Sequence, residues 1–283
     1  MKIDGINVYY GKNHILKDFS LEIEKGKIYG IIGKNGAGKT TLLKTISGMI
    51  IPKSGKMVGV LENKIGTLIE EPGLFLDMTA FENMNMQCMI VKGKKDEIDK
   101  ILGMVGLAHV RDTKVKKFSL GMRQRLGLAL TLIGNPDILI WDEPINGLDP
   151  EGILQIRQLI YELKDKYGKT LIISSHILDE LEKVCDEFLF INNGVLVNSI
   201  SQQELSLKKE KNIIINFEND GNIENVLKEM DIKRYKVSDK TVCIYDDVQV
   251  SGLIKKLTNR GIDICEVYKD RSTCESIFIE MIS

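Results

Sequence analysis

Residues 33–40 read GKNGAGKT, the spacing G-x-x-x-x-G-K-T, set after an apolar strand pattern and ahead of a helical one. Those residue types suit one task, the holding of phosphate. Gly33, Gly36 and Gly38 let backbone N–H groups wrap phosphate oxygens in conformations that side chains would obstruct. Lys34, Asn35, Ala37 and Thr41 complete the loop and helix-start positions expected to line the phosphates. Lys39 offers charge to β- and γ-phosphate oxygens, Thr40 offers a hydroxyl to Mg²⁺, and the helix start adds its dipole. Farther along, DILIWDE (137–143) is an apolar run ending in two acids. Asp142, at the carboxyl end of that strand, can hold Mg²⁺; Glu143 beside it can orient or deprotonate an attacking water. Two acids ending a strand are ordinarily turn residues facing solvent. Downstream of a phosphate loop the balance shifts toward chemistry.

Three further stretches stand in order around that strand: FSLGMRQRLGLAL (118–130), NGLDP (146–150) and LIISSH (171–176). Taken singly, Ser119 is a helix cap, His176 a core or capping histidine, and Tyr10 a strand surface residue. Taken together in this order, the chain resembles an ATP-binding cassette ATPase, the motor subunit of a membrane transporter, over about residues 1–200. FSLGM stands where that family has its L-S-G-G-Q signature, with Leu120 replacing a glycine and Met122 the glutamine. The resemblance implies that Ser119 and Gly121 meet nucleotide, that Leu148 and Asp149 belong to the D-loop, and that His176 is the switch histidine. It implies that Tyr10 stacks on adenine, and the base-reading motifs of GTPases are absent. The expected cofactors are ATP and Mg²⁺. The expected assembly is a head-to-tail homodimer, each ATP sandwiched between one phosphate loop and the other copy's signature, on a separate integral-membrane permease.

IGTLIEEP (65–72) carries the oddity. Most members of the resembled family end this strand in glutamine, which touches Mg²⁺ and the attacking water; here Glu70 holds the place. A slip of one residue to Glu71 would supply the same carboxylate. Together with FSLGM, this resembles the bacitracin and lantibiotic self-protection transporters, whose ATPases carry an E-loop. Exchanging an amide for a carboxylate adds charge near a divalent cation and removes a donor. Glu70 is therefore expected as both a metal and a catalytic residue, against the simpler reading of drift at a tolerant loop. The functional expectation is an export or immunity ATPase for an antimicrobial peptide, at the cytoplasmic face of the cell membrane. The competing reading is a regulatory ATPase of the same superfamily without a transport role.

The elements that must hold these residues follow from periodicity. Strand patterns occur at INVYY, FSLEI, KIYGIIG and in the region 57–69; helical patterns at 39–48, 79–92, 95–105 and 120–133. Then come strand 137–143, helix 151–167, strand 170–175, helix 176–185 and strands 187–191 and 195–199. Strands alternating with helices predict an α/β sheet, here with a helical subdomain at about 72–135. Met78, Met84, Met86 and Met89 fall in that subdomain, either as an adaptable docking surface or as core filling. From 207 the order strand, helix, strand, strand, helix, strand predicts a ferredoxin-like α+β domain at 207–283, ending in a helix over STCESIFIEMIS. It is expected to regulate or to stabilise the dimer. The domains are thus 1–206 and 207–283, joined near 201–207.

Bulk properties narrow the classes. The 283 residues carry a net charge of −1, so nothing suggests nucleic acid. The 5 cysteines are scattered, without a C-x-x-C pair, which fits a reducing cytosol rather than a disulfide or metal framework. The start MKIDGINVYY lacks a signal-peptide pattern, and no apolar run reaches membrane-spanning length.

Overall fold

A computed structural model of the chain describes residues 1–59, 64–208, 211–219, 223–246 and 248–271. They form two compact units, Met1–Gln202 and a second from Gln203 onward.

The first unit begins with β1 (Lys2–Tyr10), β2 (Asn13–Glu22) and β3 (Ile28–Ile32), followed by α1 (Lys39–Ile46), β4 (Ser54–Val58) and β5 (Ile65–Leu68). Three helices follow: α2 (Ala80–Val91), α3 (Glu97–Met104) and α4 (Leu120–Leu132). The unit is completed by β6 (Ile138–Asp142), α5 (Pro150–Asp165), β7 (Thr170–Ser174), α6 (Leu178–Val184), β8 (Glu187–Asn192) and β9 (Val195–Ser201). The main sheet has the order β5-β6-β7-β3-β8-β9, parallel except for the β8–β9 hairpin. Every residue of β3, β6 and β7 is buried. That is why they read as continuous apolar runs rather than alternating ones: helices cover a parallel sheet on both faces. A second, antiparallel sheet has the order β2-β1-β4. Its inner side chains, including Ile6, Leu16 and Phe19, pack with Leu42 and Ile46 of α1 and Ile140 of β6 in one core. The strand region expected at 57–69 is therefore two strands in two different sheets.

The helical region is fastened by its own caps. Thr79 and Glu82 form a reciprocal capping box at the start of α2. Met84 is fully buried, so it fills the core, whereas Met89 is 66% exposed. Two expected helices shrink. The expected helix 176–185 starts only at Leu178, and α1 stops at Ile46. Among the described residues no helix is long and apolar enough to cross a membrane.

The boundary between the units falls at the start of α7 (Gln202–Lys208), so the segment read as a linker is helical. The second unit continues with β10 (Lys211–Phe217), α8 (Ile223–Glu229), β11 (Tyr235–Ser238), β12 (Thr241–Ile244), α9 (Val250–Asn259) and β13 (Ile264–Arg271). The sheet order is β11-β12-β10-β13, antiparallel throughout. Ile213, Ile215, Val242 and Ile244 share one core with Val226 and Leu227 of α8 and Leu253 and Leu257 of α9. The helix expected over 272–283 lies outside the described residues.

Candidate active site

The carboxyl ends of β3, β6 and β7, neighbours in the main sheet, gather the charged residues picked out in the sequence. The phosphate loop joins β3 to α1. A side chain at Gly33 would put its Cβ 2.5 Å from the Ile191 carbonyl oxygen, so the loop lies closer to β8 than any other residue permits. Ala37 donates its N–H to the Lys34 carbonyl at 3.0 Å, and its own carbonyl accepts from Gly194 at 2.9 Å. The loop is thereby held from within and from behind. Lys39, the first residue of α1, curls back to donate from Nζ to the Gly33 carbonyl at 2.8 Å and to the Lys34 carbonyl at 3.4 Å. No carboxylate among the described residues neutralises it. The ammonium is thereby held inside the loop.

Asp142 ends β6 and is only 7% exposed. Thr40 Oγ1 donates to its Oδ2 at 2.9 Å, and the Ser174 hydroxyl makes a short hydrogen bond to Oδ1. Both metal candidates from the two sequence motifs thus touch. A hydroxyl and a carboxylate are hard oxygen donors of the kind Mg²⁺ takes, one or two protein groups being completed by nucleotide phosphates and water. No cluster of three or more His, Cys, Asp or Glu able to cage a metal occurs among the described residues.

Glu143 follows in a left-handed backbone conformation, φ 50°. For a glutamate that geometry is costly and must be held by its surroundings. Its N–H donates toward both the Ser174 carbonyl and the Ser174 hydroxyl, each at 3.1 Å. Its carbonyl accepts from Gln124 Nε2 at 3.4 Å, and its Oε2 lies 2.7 Å from His176 Nδ1. His176 reaches this position because it precedes α6 in a loop, where Ile177 N–H donates to Ser175 Oγ at 3.0 Å. The imidazole thus fixes the direction of a carboxylate that is able to accept a proton.

Glu70 sits just past β5, also in the left-handed region with φ 66°. It lines a cleft of about 650 Å³ together with Glu71, Leu120, Gln124, Asp142 and Glu143. Glu70 therefore lines the same cleft as Asp142, which ends β6, and Glu143, which follows it. Its Oε1 is 2.6 Å from Lys44 Nζ, and that partner raises the pKa of the lysine.

Ser119 caps α4, its hydroxyl accepting from Met122 N–H at 3.2 Å, and Gly121 lies in the first turn against Leu148. Asp149 caps α5, accepting from Gly152 N–H at 3.0 Å, so that oxygen is already engaged within the chain. Thr41 is buried in α1, and Tyr10 stands half exposed at the end of β1. Sequence reasoning missed Ser174, Gln124 and Lys44. A serine closing an otherwise apolar strand was the one available signal for Ser174.

The family model described as "ABC transporter" matches residues 16–146. The bacitracin transport ATP-binding protein BcrA of Bacillus licheniformis is 37% identical, over 100% of this chain and 97% of that protein. The lantibiotic transport ATP-binding protein SrtF of Streptococcus pyogenes is 41% identical, over 70% of this chain and 89% of its own length. Among solved structures, cbiO1 from Clostridium perfringens, part of the ABC transporter complex cbiONQ, superposes with a TM-score of 0.65 at 27% identity. It covers 81% of this chain and 95% of that one.

Proposed function

Since the chain belongs to the family of ABC transporter ATP-binding proteins, we propose that it is the ATP-hydrolysing subunit of an exporter that protects cells against a bacitracin- or lantibiotic-like peptide. It works with a separate membrane permease, peripherally on the inner face of the cell membrane. The observation that carries the hydrolytic part is the contact of Thr40 with Asp142, because it brings both halves of a phosphate and cation site to one point. Full-length likeness to BcrA supports the peptide reading.

In this reading Lys39 and the loop amides bind the phosphates, and Thr40 and Asp142 hold Mg²⁺. The cation supplies charge neutralisation on the phosphate oxygens. Glu143 orients the water and accepts its proton, with His176 holding that carboxylate in place. Glu70 adds a further carboxylate to the same cleft. Ser119 and Gly121, at the N-terminus of α4, serve a γ-phosphate held by a second copy, so ATP joins two chains and hydrolysis releases them.

The test is tolerance in cells. A strain expressing the chain with its permease should survive bacitracin or a lantibiotic better than one without. Lys39→Ala should abolish that gain, since it removes a charge-assisted phosphate contact worth about 1.5–3 kcal/mol. If a panel of such peptides gives no protection dependent on Lys39, the immunity reading fails.

A further inference from the structure

Lys44 lies on α1, the helix that the phosphate loop opens, and it is absent from the motif that defines the loop. Its backbone is fixed: the Lys44 carbonyl accepts the N–H groups of Met49 at 2.9 Å and Ile50 at 3.1 Å where the chain turns out of the helix. Its side chain reaches across to Glu70, with Nζ 2.6 Å from Oε1. The lysine side chain is 27% exposed and the glutamate 63%. Glu70 Oε2 has no partner among the described residues. An ammonium is thus resident beside the cleft that Glu70, Asp142 and Glu143 share.

We propose that Lys44 is a positioning residue for this reaction: it is the resident counter-ion of the Glu70 carboxylate, and it competes with the nucleotide-borne divalent cation for that carboxylate. The inference rests on the reading of Glu70 as a cation-facing group. Two physical terms act in one direction. While its carboxylate is engaged by Lys44, Glu70 offers a divalent cation less charge. The ammonium also repels a second cation brought into the same cleft. Lys44 therefore sets how much Mg²⁺ the site requires, and it ties the loop after β5 to the helix that senses phosphate. Neither effect needs a change of fold. The glutamate side of the pair is open to solvent, so the contact is a modest one.

The test uses the full chain with Glu143→Gln, so that ATP binds without turnover. The readout is the Mg²⁺ concentration giving half-maximal thermal stabilisation by ATP, followed by kcat against Mg²⁺ in the active background. Lys44→Met should lower that concentration about two- to fivefold, the range an exposed ion pair supports. Lys44→Gln should match it, Lys44→Arg should keep the original requirement, and in Glu70→Gln the lysine substitution should have a smaller effect, since only the direct repulsion is then lost. A lysine needed only to end α1 would give a change independent of Glu70. If Glu70→Gln raises the Mg²⁺ requirement while Lys44→Met and Lys44→Gln leave it unchanged or raise it, the proposal is overturned and the reading of Glu70 stands. If Glu70→Gln itself leaves the requirement unchanged, both fail.

Discussion

Glu143 and His176 are joined twice: Oε2 of the glutamate lies 2.7 Å from the imidazole Nδ1 and accepts the histidine backbone N–H at 3.2 Å. The side chains come from different strand ends, yet the contact fixes the carboxylate of a residue whose backbone is already in a costly conformation. Glu143→Gln keeps an oxygen for the His176 N–H but removes the acceptor for a water proton. ATP affinity should stay near that of the parent, while phosphate release falls by about 10²-fold or more. Calorimetry beside a phosphate-release assay checks both. Parental turnover would mean that the base lies elsewhere.

Ser174 offers a sharper test of how the acids are held. Its hydroxyl donates to Asp142 and accepts from the Glu143 N–H, so one oxygen aligns two adjacent acids. Ser174 is fully buried. Ser174→Ala should leave Asp142 with Thr40 as its remaining donor and destabilise the fold by about 1–3 kcal/mol. Because the same change loosens both acids, kcat should fall more than ATP affinity. Equal denaturation curves for the two proteins would contradict this account.

The division between what could be read from the chain and what could not follows contact range. The phosphate loop was legible because its chemistry is local: glycines, lysine and threonine lie within eight consecutive positions. Asp142 and Glu143 were legible because a fully buried parallel strand must be apolar until it emerges at the site. Ser174, Lys44 and Gln124 act through partners 32, 26 and 19 residues away, and no local spacing encodes such pairings. The late start of α6 was hidden for a related reason. Residues 176 and 177 suit a helix by type, but the imidazole is engaged by Glu143 and the chain turns around Ser175 instead.

In the second unit, acid should act through Asp246. Its carboxylate accepts the backbone N–H groups of Arg234 at 3.0 Å and Lys233 at 2.7 Å, and the Arg234 Nε at 2.9 Å. These donors hold its pKa down to about 2, from an ordinary 3.8. Because the folded value is the lower one, the bonds contribute fully above the ordinary value. The contribution is lost as pH falls through the interval between the two. An NMR titration should place the Asp246 carboxyl midpoint near 2. Asp246→Asn should flatten the acid sensitivity of this unit without altering phosphate release at neutral pH. A midpoint at the ordinary carboxylate value would refute the assignment.

Gly194 provides the last test, at a residue with no chemistry of its own. Asn193 and Gly194 turn β8 into β9 with φ 48° and 80°, the two positive angles of a tight hairpin turn that Asn-Gly favours. The Gly194 N–H donates to the Ala37 carbonyl at 2.9 Å, and its own carbonyl accepts from Lys17 at 2.9 Å. The turn therefore braces the back of the phosphate loop and binds it to β2. A Cβ at Gly194 would overlap the Ile15 carbonyl, which is backbone and cannot swing aside. The left-handed conformation alone costs a non-glycine residue about 1–2 kcal/mol, and the overlap adds to that. Gly194→Ala should thus lower Tm by several degrees, at roughly 2–4 °C per kcal/mol for a chain of this size. It should also weaken ATP, since relief of the overlap must push the turn away from Ala37 and loosen the loop that Lys39 closes. Gly252→Ala is the control, because nothing lies within 4 Å of a Cβ there. It should leave ATP affinity unchanged. Calorimetric ATP affinity and thermal melts on the two variants decide the matter. If Gly194→Ala lowers Tm but binds ATP as the parent does, the turn supports the sheet alone and the brace on the phosphate loop is refuted.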